Sequence, residues 1–127
     1  MKTNGFSLME LLIALVIIAV IAGIAYPKYQ KMVTRSKQTE VKNMLKAIQM
    51  GQDLHHTTHL KYATNLAELD IEIPTDVTYQ YTLKTNEQAD EFEVLAKANI
   101  DGDPAIDQWT INHLNEIKNI INDVIEE

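Results

Sequence analysis

The chain has 127 residues, of which 46% are hydrophobic, and a net charge of −7 at pH 7. This length is enough for one small domain and a stem. The acidic balance argues against a broad nucleic-acid-binding face, because phosphate contacts need clustered lysine and arginine. The sequence contains no cysteine, so disulfides and thiol redox chemistry are excluded.

The first predicted element is an apolar run over residues 6–26, whose only charge is that of Glu10. A helix of this length, at about 1.5 Å per residue, crosses a bilayer core of roughly 30 Å. An unpaired carboxylate at membrane depth costs on the order of 3 kcal/mol. A simple anchor gains nothing from that cost, whereas a helix that packs beside identical copies can use Glu10 as a pairing charge.

The residues around this run form a motif: GFSLMELL from Gly5 to Leu12, an apolar tail, and Pro27 at the membrane exit. It resembles the processing site of type IV pilins and pseudopilins, in which a membrane peptidase cuts after the Gly and methylates the new N-terminus. The resemblance implies a leader over residues 1–5, cleavage between Gly5 and Phe6, and N-methylation of Phe6. It also implies that Glu10 pairs with the Phe6 amine of a neighbouring subunit.

An ordinary secretory signal is the alternative interpretation of residues 1–26. Its apolar core would be about 7–15 residues long and would be followed by a small-residue cleavage site. The present run is longer, and the segment Ala22 to Ala25 is a poor match to such a site. This alternative also leaves Glu10 unexplained.

The stem continues over residues 27–56 as an amphipathic helix, so that a single helix is predicted from Phe6 to about His56. Its apolar residues recur with a helical period, at Val33, Val41, Met44, Leu45, Ile48 and Leu54. Pro27 is expected to kink the helix, and Gly23 one turn earlier makes this stretch the softest. The segment from Lys28 to Lys46 contains six basic residues and one acidic residue. The segment from Asp53 onward contains 16 acidic residues and four lysines. The stem is thus basic and the head acidic, which indicates solvated surfaces or attraction between neighbouring subunits.

The head, residues 57–127, is predicted to be a small antiparallel sheet of three strands. The proposed strands are residues 77–83, 91–98 and 108–112, with a turn at Asn86 and breakers at Pro74 and residues 101–104. Alternation places these residues inward: Val77, Tyr79, Tyr81, Leu83, Phe92 and Val94. Trp109 is expected to anchor the core, and the tail 112–127 has apolar residues at helical spacing that predict a short amphipathic helix. Residues 35–48, 62–69 and 98–111 resemble major pilins of delta-proteobacteria.

Two groups of side chains have ligand-like spacing. Asp101, Asp103 and Asp107, around Gly102, resemble part of a calcium loop, although the Gly and closing Glu of an EF-hand are missing. The alternative is a polar turn whose aspartates accept backbone N–H groups. His55 and His59 would share a helical face as zinc ligands can, but surface histidines at a helix end are the simpler interpretation.

We therefore predict an α+β protein with the type IV pilin fold: a long N-terminal helix, half membrane-spanning and half amphipathic, packed on a small antiparallel sheet. No catalytic motif is present, and a non-enzymatic structural subunit is expected. The resemblance implies a precursor in the inner membrane that meets the prepilin peptidase and the pilus assembly machinery, then polymerises with itself into a surface fibre for adhesion, motility or DNA uptake. The alternatives are a pseudopilin of type II secretion and a membrane-anchored periplasmic metal-binding or enzymatic domain.

Overall fold

A computed structural model describes residues 4–75 and 78–124 of the chain. The elements in chain order are helix α1 (Leu8–His59), a one-turn 3₁₀ helix (Leu66–Glu68), and strands β1 (Gln80–Thr85), β2 (Phe92–Ala98), β3 (Asp107–Asn112) and β4 (Ile117–Ile121). The four strands form one antiparallel sheet in the order β1-β2-β3-β4. The chain divides into two compact units, Met1–Val33 and Thr34–Glu127.

The predicted long helix is confirmed, with bounds that differ slightly from those expected. It begins at Leu8 rather than Phe6 and ends at His59 rather than His56. Leu60, directly after it, has a φ of 60°, a left-handed conformation that ends helices. Pro27 lies inside the helix, and the kink expected there stays a prediction.

In the second unit, α1 and the sheet share one hydrophobic core. Val41, Leu45 and Ile48 are fully buried and follow one another at intervals of four and three residues, so that they form one stripe of the helix. The sheet side of the same core contains Tyr79, Phe92, Val94, Ala96, Trp109 and Ile111. Burial of each large apolar side chain contributes about 1.5–3 kcal/mol. The predicted α+β architecture and the anchoring role of Trp109 are therefore confirmed.

The strand alternation was predicted correctly for the inward face. In β2 the buried residues alternate with exposed ones, beginning at Phe92 and Val94, and in β1 Tyr81 and Leu83 are partly buried while their neighbours are exposed. The turn between these strands is built by Asn86, whose Oδ1 accepts the backbone N–H of Asp90 at 3.1 Å. The first predicted strand began at Val77, which lies outside the described residues, as does Ile125 of the predicted tail helix.

The expected helix over residues 112–127 is wrong, because Ile117–Ile121 within this segment forms a fourth strand. β3 continues to Asn112, and β4 returns beside it with Ile111 opposite Ile117. Apolar residues at 114, 117, 120 and 121 fit a helical period, but β-branched isoleucines favour extended backbone. Pairing with β3 also satisfies the β4 backbone.

The turn before β4 carried a signal for this hairpin. Asn112 Oδ1 accepts the backbone N–H groups of Leu114 and Glu116, both at 3.1 Å, and Asn115 has a φ of 60°. Asparagine is the residue best suited to such a turn after glycine, since its short amide bonds to nearby backbone and tolerates positive φ. The sequence Asn-His-Leu-Asn therefore indicated a hairpin.

Candidate functional site

The N-terminus of α1 is closed by two hydrogen bonds, one accepted by the Glu10 side chain and one by the Ser7 side chain. The Ser7 backbone N–H donates to Glu10 Oε2 at 2.9 Å, and the Met9 N–H donates to Ser7 Oγ at 3.2 Å. This is the S-x-x-E capping box, in which a serine and a glutamate satisfy N–H groups that lack helical partners. Sequence reasoning assigned Glu10 only an intermolecular role and missed this local one, although the spacing of Ser7 and Glu10 is its signal.

The apolar part of the helix lies open in the single chain. α1 is the one helix among the described residues that is long and apolar enough to cross a membrane, judged by length and composition, and none of its most apolar 18-residue window is buried. Phe6 is 84% exposed, and large exposed apolar side chains continue through Ile24. A surface of this size is far beyond the apolar patches that monomeric soluble proteins expose. It requires lipid or protein as a cover.

The predicted processing residues lie just before this helix. Gly5 and Phe6 are exposed and precede Leu8, the first helical residue, and a Cβ added to Gly5 would meet nothing within 4 Å. The peptide bond between them is therefore accessible to a second protein. Among the described residues, Gly23 also has open space around it.

Two models of known protein families match different parts of the chain. Residues 1–26 match the family model for the prokaryotic N-terminal methylation motif, and residues 38–116, more than half of the chain, match the model for type IV pilin-like G and H proteins. The chain belongs to the type IV pilin-like G and H family. Pilins are structural subunits and not a class of enzymes.

Two further similarities agree with this pilin family. Over 51 residues the chain is 45% identical to the type IV major pilin protein PilA of Myxococcus xanthus, a match that covers 40% of this chain and 23% of that relative. The solved structure of a type IV pilin from Shewanella oneidensis superimposes with a TM-score of 0.54 at 12% identity, covering 74% of this chain and 99% of that one. The second similarity supports the fold alone.

In this pilin the three aspartates predicted as calcium ligands are separated into two environments. Asp107 is fully buried and accepts hydrogen bonds from five groups: Gln38 Nε2, Tyr79 Oη, Trp109 Nε1, Asn119 Nδ2 and the backbone N–H of Asp123, at 2.5–3.2 Å. Burial, followed by the hydrogen bond to Asp107, raises the pKa of Tyr79 well above its usual range. Asp107 thus joins the helix to the sheet and the tail.

The structure brings a different third aspartate to Asp101 and Asp103. One carboxylate oxygen from each of Asp101, Asp103 and Asp123 lies within 4.8 Å of the other two. Asp123 follows β4 and is only 3% exposed. Burial, followed by the charge of Asp101, raises the pKa of Asp123. Sequence reasoning missed Asp123 because it lies 20 residues from the loop and inside a segment predicted to be helical.

The histidines end the stem helix. The rings of His55 and His59 stack with centroids 4.2 Å apart, and His55 Nδ1 lies 2.9 Å from the carbonyl oxygen of Lys61. His59 Nδ1 lies 3.2 Å from the carbonyl oxygen of His55. With the proton on Nδ1, the His55 ring donates to a carbonyl just beyond the helix and the His59 ring donates to a carbonyl one turn earlier. These contacts explain the pair as a helix end without a metal.

Proposed function

We propose that this chain is a structural subunit of a type IV pilus, held in a helical fibre through the apolar half of α1. The observation that carries the proposal is the exposed apolar helix preceded by Gly5 and Phe6 and containing Glu10. Burial of apolar surface contributes roughly 25 cal/mol per Å², so packing of many such helices side by side would strongly favour a fibre over isolated chains.

The proposal includes two locations for the same chain. The precursor sits in the inner membrane with residues 6–26 in the bilayer, where the prepilin peptidase cuts after Gly5 and methylates Phe6. The assembly machinery then moves the mature chain into an extracellular fibre. The family match to the N-terminal methylation motif supports the processing step. For the fibre we propose a use in adhesion, surface motility or DNA uptake.

The decisive experiment identifies the subunit of sheared surface fibres in the native host. Intact-mass measurement should find a chain that begins at a methylated Phe6. Gly5→Val should leave an unprocessed precursor in the inner membrane, because the added side chain obstructs the approach of the peptidase to the backbone. The matched control Asn4→Val, one residue earlier in the leader, should still be processed.

Two outcomes contradict the proposal. Fibres whose subunits retain residues 1–5 would exclude the processing step. A deletion strain that keeps its surface fibres but fails to export secreted proteins would assign the chain to type II secretion. Strains deleted for this gene should instead lose fibres, and with them adhesion, motility or DNA uptake.

A further inference from the structure

Three carboxylates from two distant parts of the chain converge at one edge of the head. Asp101 and Asp103 lie in the loop between β2 and β3, and Asp123 follows β4. Their nearest oxygens are all within 4.8 Å of one another. Three negative charges at this separation repel one another unless a cation lies between them.

Asp123 has no partner for its charge. Neither of its carboxylate oxygens has a hydrogen-bond partner, although the residue is only 3% exposed. Burial and then the charge of Asp101 raise the pKa of Asp123, and the nearby Ile100 backbone offsets this rise only in part. The ion pairs Lys118–Glu116 and His55–Glu68 involve none of the three aspartates. Buried carboxylates are normally paired, hydrogen-bonded or metal-bound.

The loop holds its two aspartates in a defined arrangement. Asp101 Oδ1 accepts the Asp103 N–H at 3.2 Å, and Asp103 Oδ1 accepts the Ala105 N–H at 2.7 Å. Asn99 closes the loop, because its Oδ1 accepts the Gly102 N–H at 2.7 Å and its Nδ2 donates to the Asp103 carbonyl. Gly102 has a φ of 87°, which other residues rarely adopt. Each aspartate therefore keeps a second carboxylate oxygen for a ligand.

The neighbouring basic residue, Lys37, bonds to the backbone and not to the aspartates. Lys37 Nζ donates to the carbonyl oxygen of Ile100 at 2.8 Å, next to Asp101 in the chain. The lysine thus fixes the start of the loop by a bond to backbone and forms no ion pair with the three aspartates. A cation from solution could therefore neutralise the cluster.

We propose that Asp101, Asp103 and Asp123 bind one calcium ion that fastens the segment after β4 to the β2–β3 loop. Carboxylate oxygens are the ligands of hard divalent cations. Calcium, with Ca–O distances of about 2.3–2.6 Å, accommodates ligand oxygens up to about 5 Å apart, whereas magnesium at about 2.1 Å requires a tighter octahedron. Water and backbone oxygens would complete the coordination. The site replaces Asp107 of the sequence prediction with Asp123.

The ion would act as a cross-link in a chain that has no cysteine. The Asp123 backbone N–H donates to Asp107 Oδ1 at 3.2 Å, which holds the residue against the core while its side chain turns to the loop. Calcium would then connect residues 101–103 to residue 123, at the two ends of the β3–β4 hairpin. Without it, the buried Asp123 charge weakens the attachment of the tail.

The test uses the full chain in detergent micelles, purified with chelator. Calorimetric titration with calcium alone should give one site per chain, and thermal unfolding should shift upward by about 5 °C or more at saturating calcium. Magnesium at the same concentration should give at most a small part of this shift. Neither measurement depends on pilus assembly, so a failed fibre experiment leaves this result intact.

Asp123→Asn gives the sharpest comparison, because the amide keeps the shape of the side chain and removes its charge. In chelator this variant should melt at or above the wild-type temperature, since an uncompensated buried charge is gone. Calcium should not raise the melting temperature of this variant. In calcium the wild type should therefore be the more stable of the two proteins. Asp103→Asn should also lose the shift, whereas Asp70→Asn, an exposed aspartate with no such neighbours, should keep it.

Two results would overturn the site. One is a wild-type melting temperature that is the same in calcium and in chelator. The other is an equal calcium shift in the wild type and in Asp123→Asn, which would place any bound ion elsewhere. The calcium-dependent rise in melting temperature could also persist in Asp103→Asn and disappear in Asp70→Asn. That result, too, would place the ion elsewhere.

Discussion

Glu10 Oε2 lies 2.9 Å from the backbone nitrogen of Ser7 and accepts its hydrogen bond. A glutamate that is costly at membrane depth therefore has a function inside its own chain, where it completes the N-terminal cap of α1. The carboxylate retains a second oxygen, so the cap does not prevent pairing with the amine of a neighbour in a fibre. Local capping and intermolecular pairing make different predictions for conservative variants.

Glu10→Gln separates the two roles of this residue. Glutamine preserves the capping box but has no charge. If Glu10 pairs with the amine of Phe6 on a neighbour, both Glu10→Gln and Glu10→Ala should abolish fibres while the chain still enters the membrane. Ser7→Ala, which weakens the cap by about 1 kcal/mol and keeps the charge, should still form fibres. Electron microscopy and quantification of sheared fibres provide the measurement, and a normal yield from Glu10→Gln would exclude the pairing role.

Asp107→Asn should destabilise the head by about 2–4 kcal/mol. The amide NH₂ of asparagine would confront at least one of the donors that now bond to the carboxylate, such as Tyr79 Oη at 2.5 Å or Trp109 Nε1 at 2.6 Å. Thermal unfolding of the full chain in detergent measures the loss. Asp70→Asn, the same chemical change at an exposed position, should stay within about 0.5 kcal/mol. Equal stability of the two variants would show that the buried hydrogen bonds contribute little.

Gln52 and Gln49 should respond in opposite ways to the same substitution. Gln52 is fully buried and forms two bonds with Ala63: its Nε2 donates to the Ala63 carbonyl at 3.0 Å, and its Oε1 accepts the Ala63 N–H at 2.8 Å. Gln52→Leu leaves both backbone groups unpaired and should cost about 2–4 kcal/mol. Gln49 Nε2 donates to Asp53 Oδ1 at 3.1 Å, but Asp53 is exposed and Gln49 Oε1 is buried without a partner, so Gln49→Leu should be near neutral or stabilising. Melting temperatures that fall equally would contradict this difference.

Alkaline conditions should destabilise the head through Tyr81. Burial, followed by the charge of Glu40, raises the pKa of Tyr81 to about 12 from its usual 10.0. The unfolded chain therefore loses this proton at lower pH than the folded one, and stability declines as pH rises from about 10 toward 12. Melting temperatures between about pH 9 and about pH 11 should fall less steeply for Tyr81→Phe than for the wild type. Tyr29→Phe, an exposed stem tyrosine, should leave the slope unchanged.

Local patterns in the sequence were sufficient for the elements whose partners are close in the chain. The period of Val41, Leu45 and Ile48 predicted the stem helix and its buried stripe, and alternation predicted the inward residues Phe92 and Val94. The motif of Gly5, Phe6 and Glu10 identified the N-terminal region, because its residues lie within six positions of the chain and the family model matches the same segment. Such patterns are readable because 3.6-residue and two-residue periods are properties of the backbone itself.

Contacts between distant residues were decided only by the tertiary structure. The isoleucines of β4 fit a helical period as well as a strand. Asn112 and Asn115 favour a turn before them, but the pairing of the segment depends on the free edge of β3, which the sequence does not display. The neighbours of Asp107 come from residue 38 to residue 123, and Asp123 reaches Asp101 and Asp103 only after the β3–β4 hairpin closes. A carboxylate is a turn former, a hydrogen-bond hub or a metal ligand according to its burial and its partners, and both are set by the packing of the whole head.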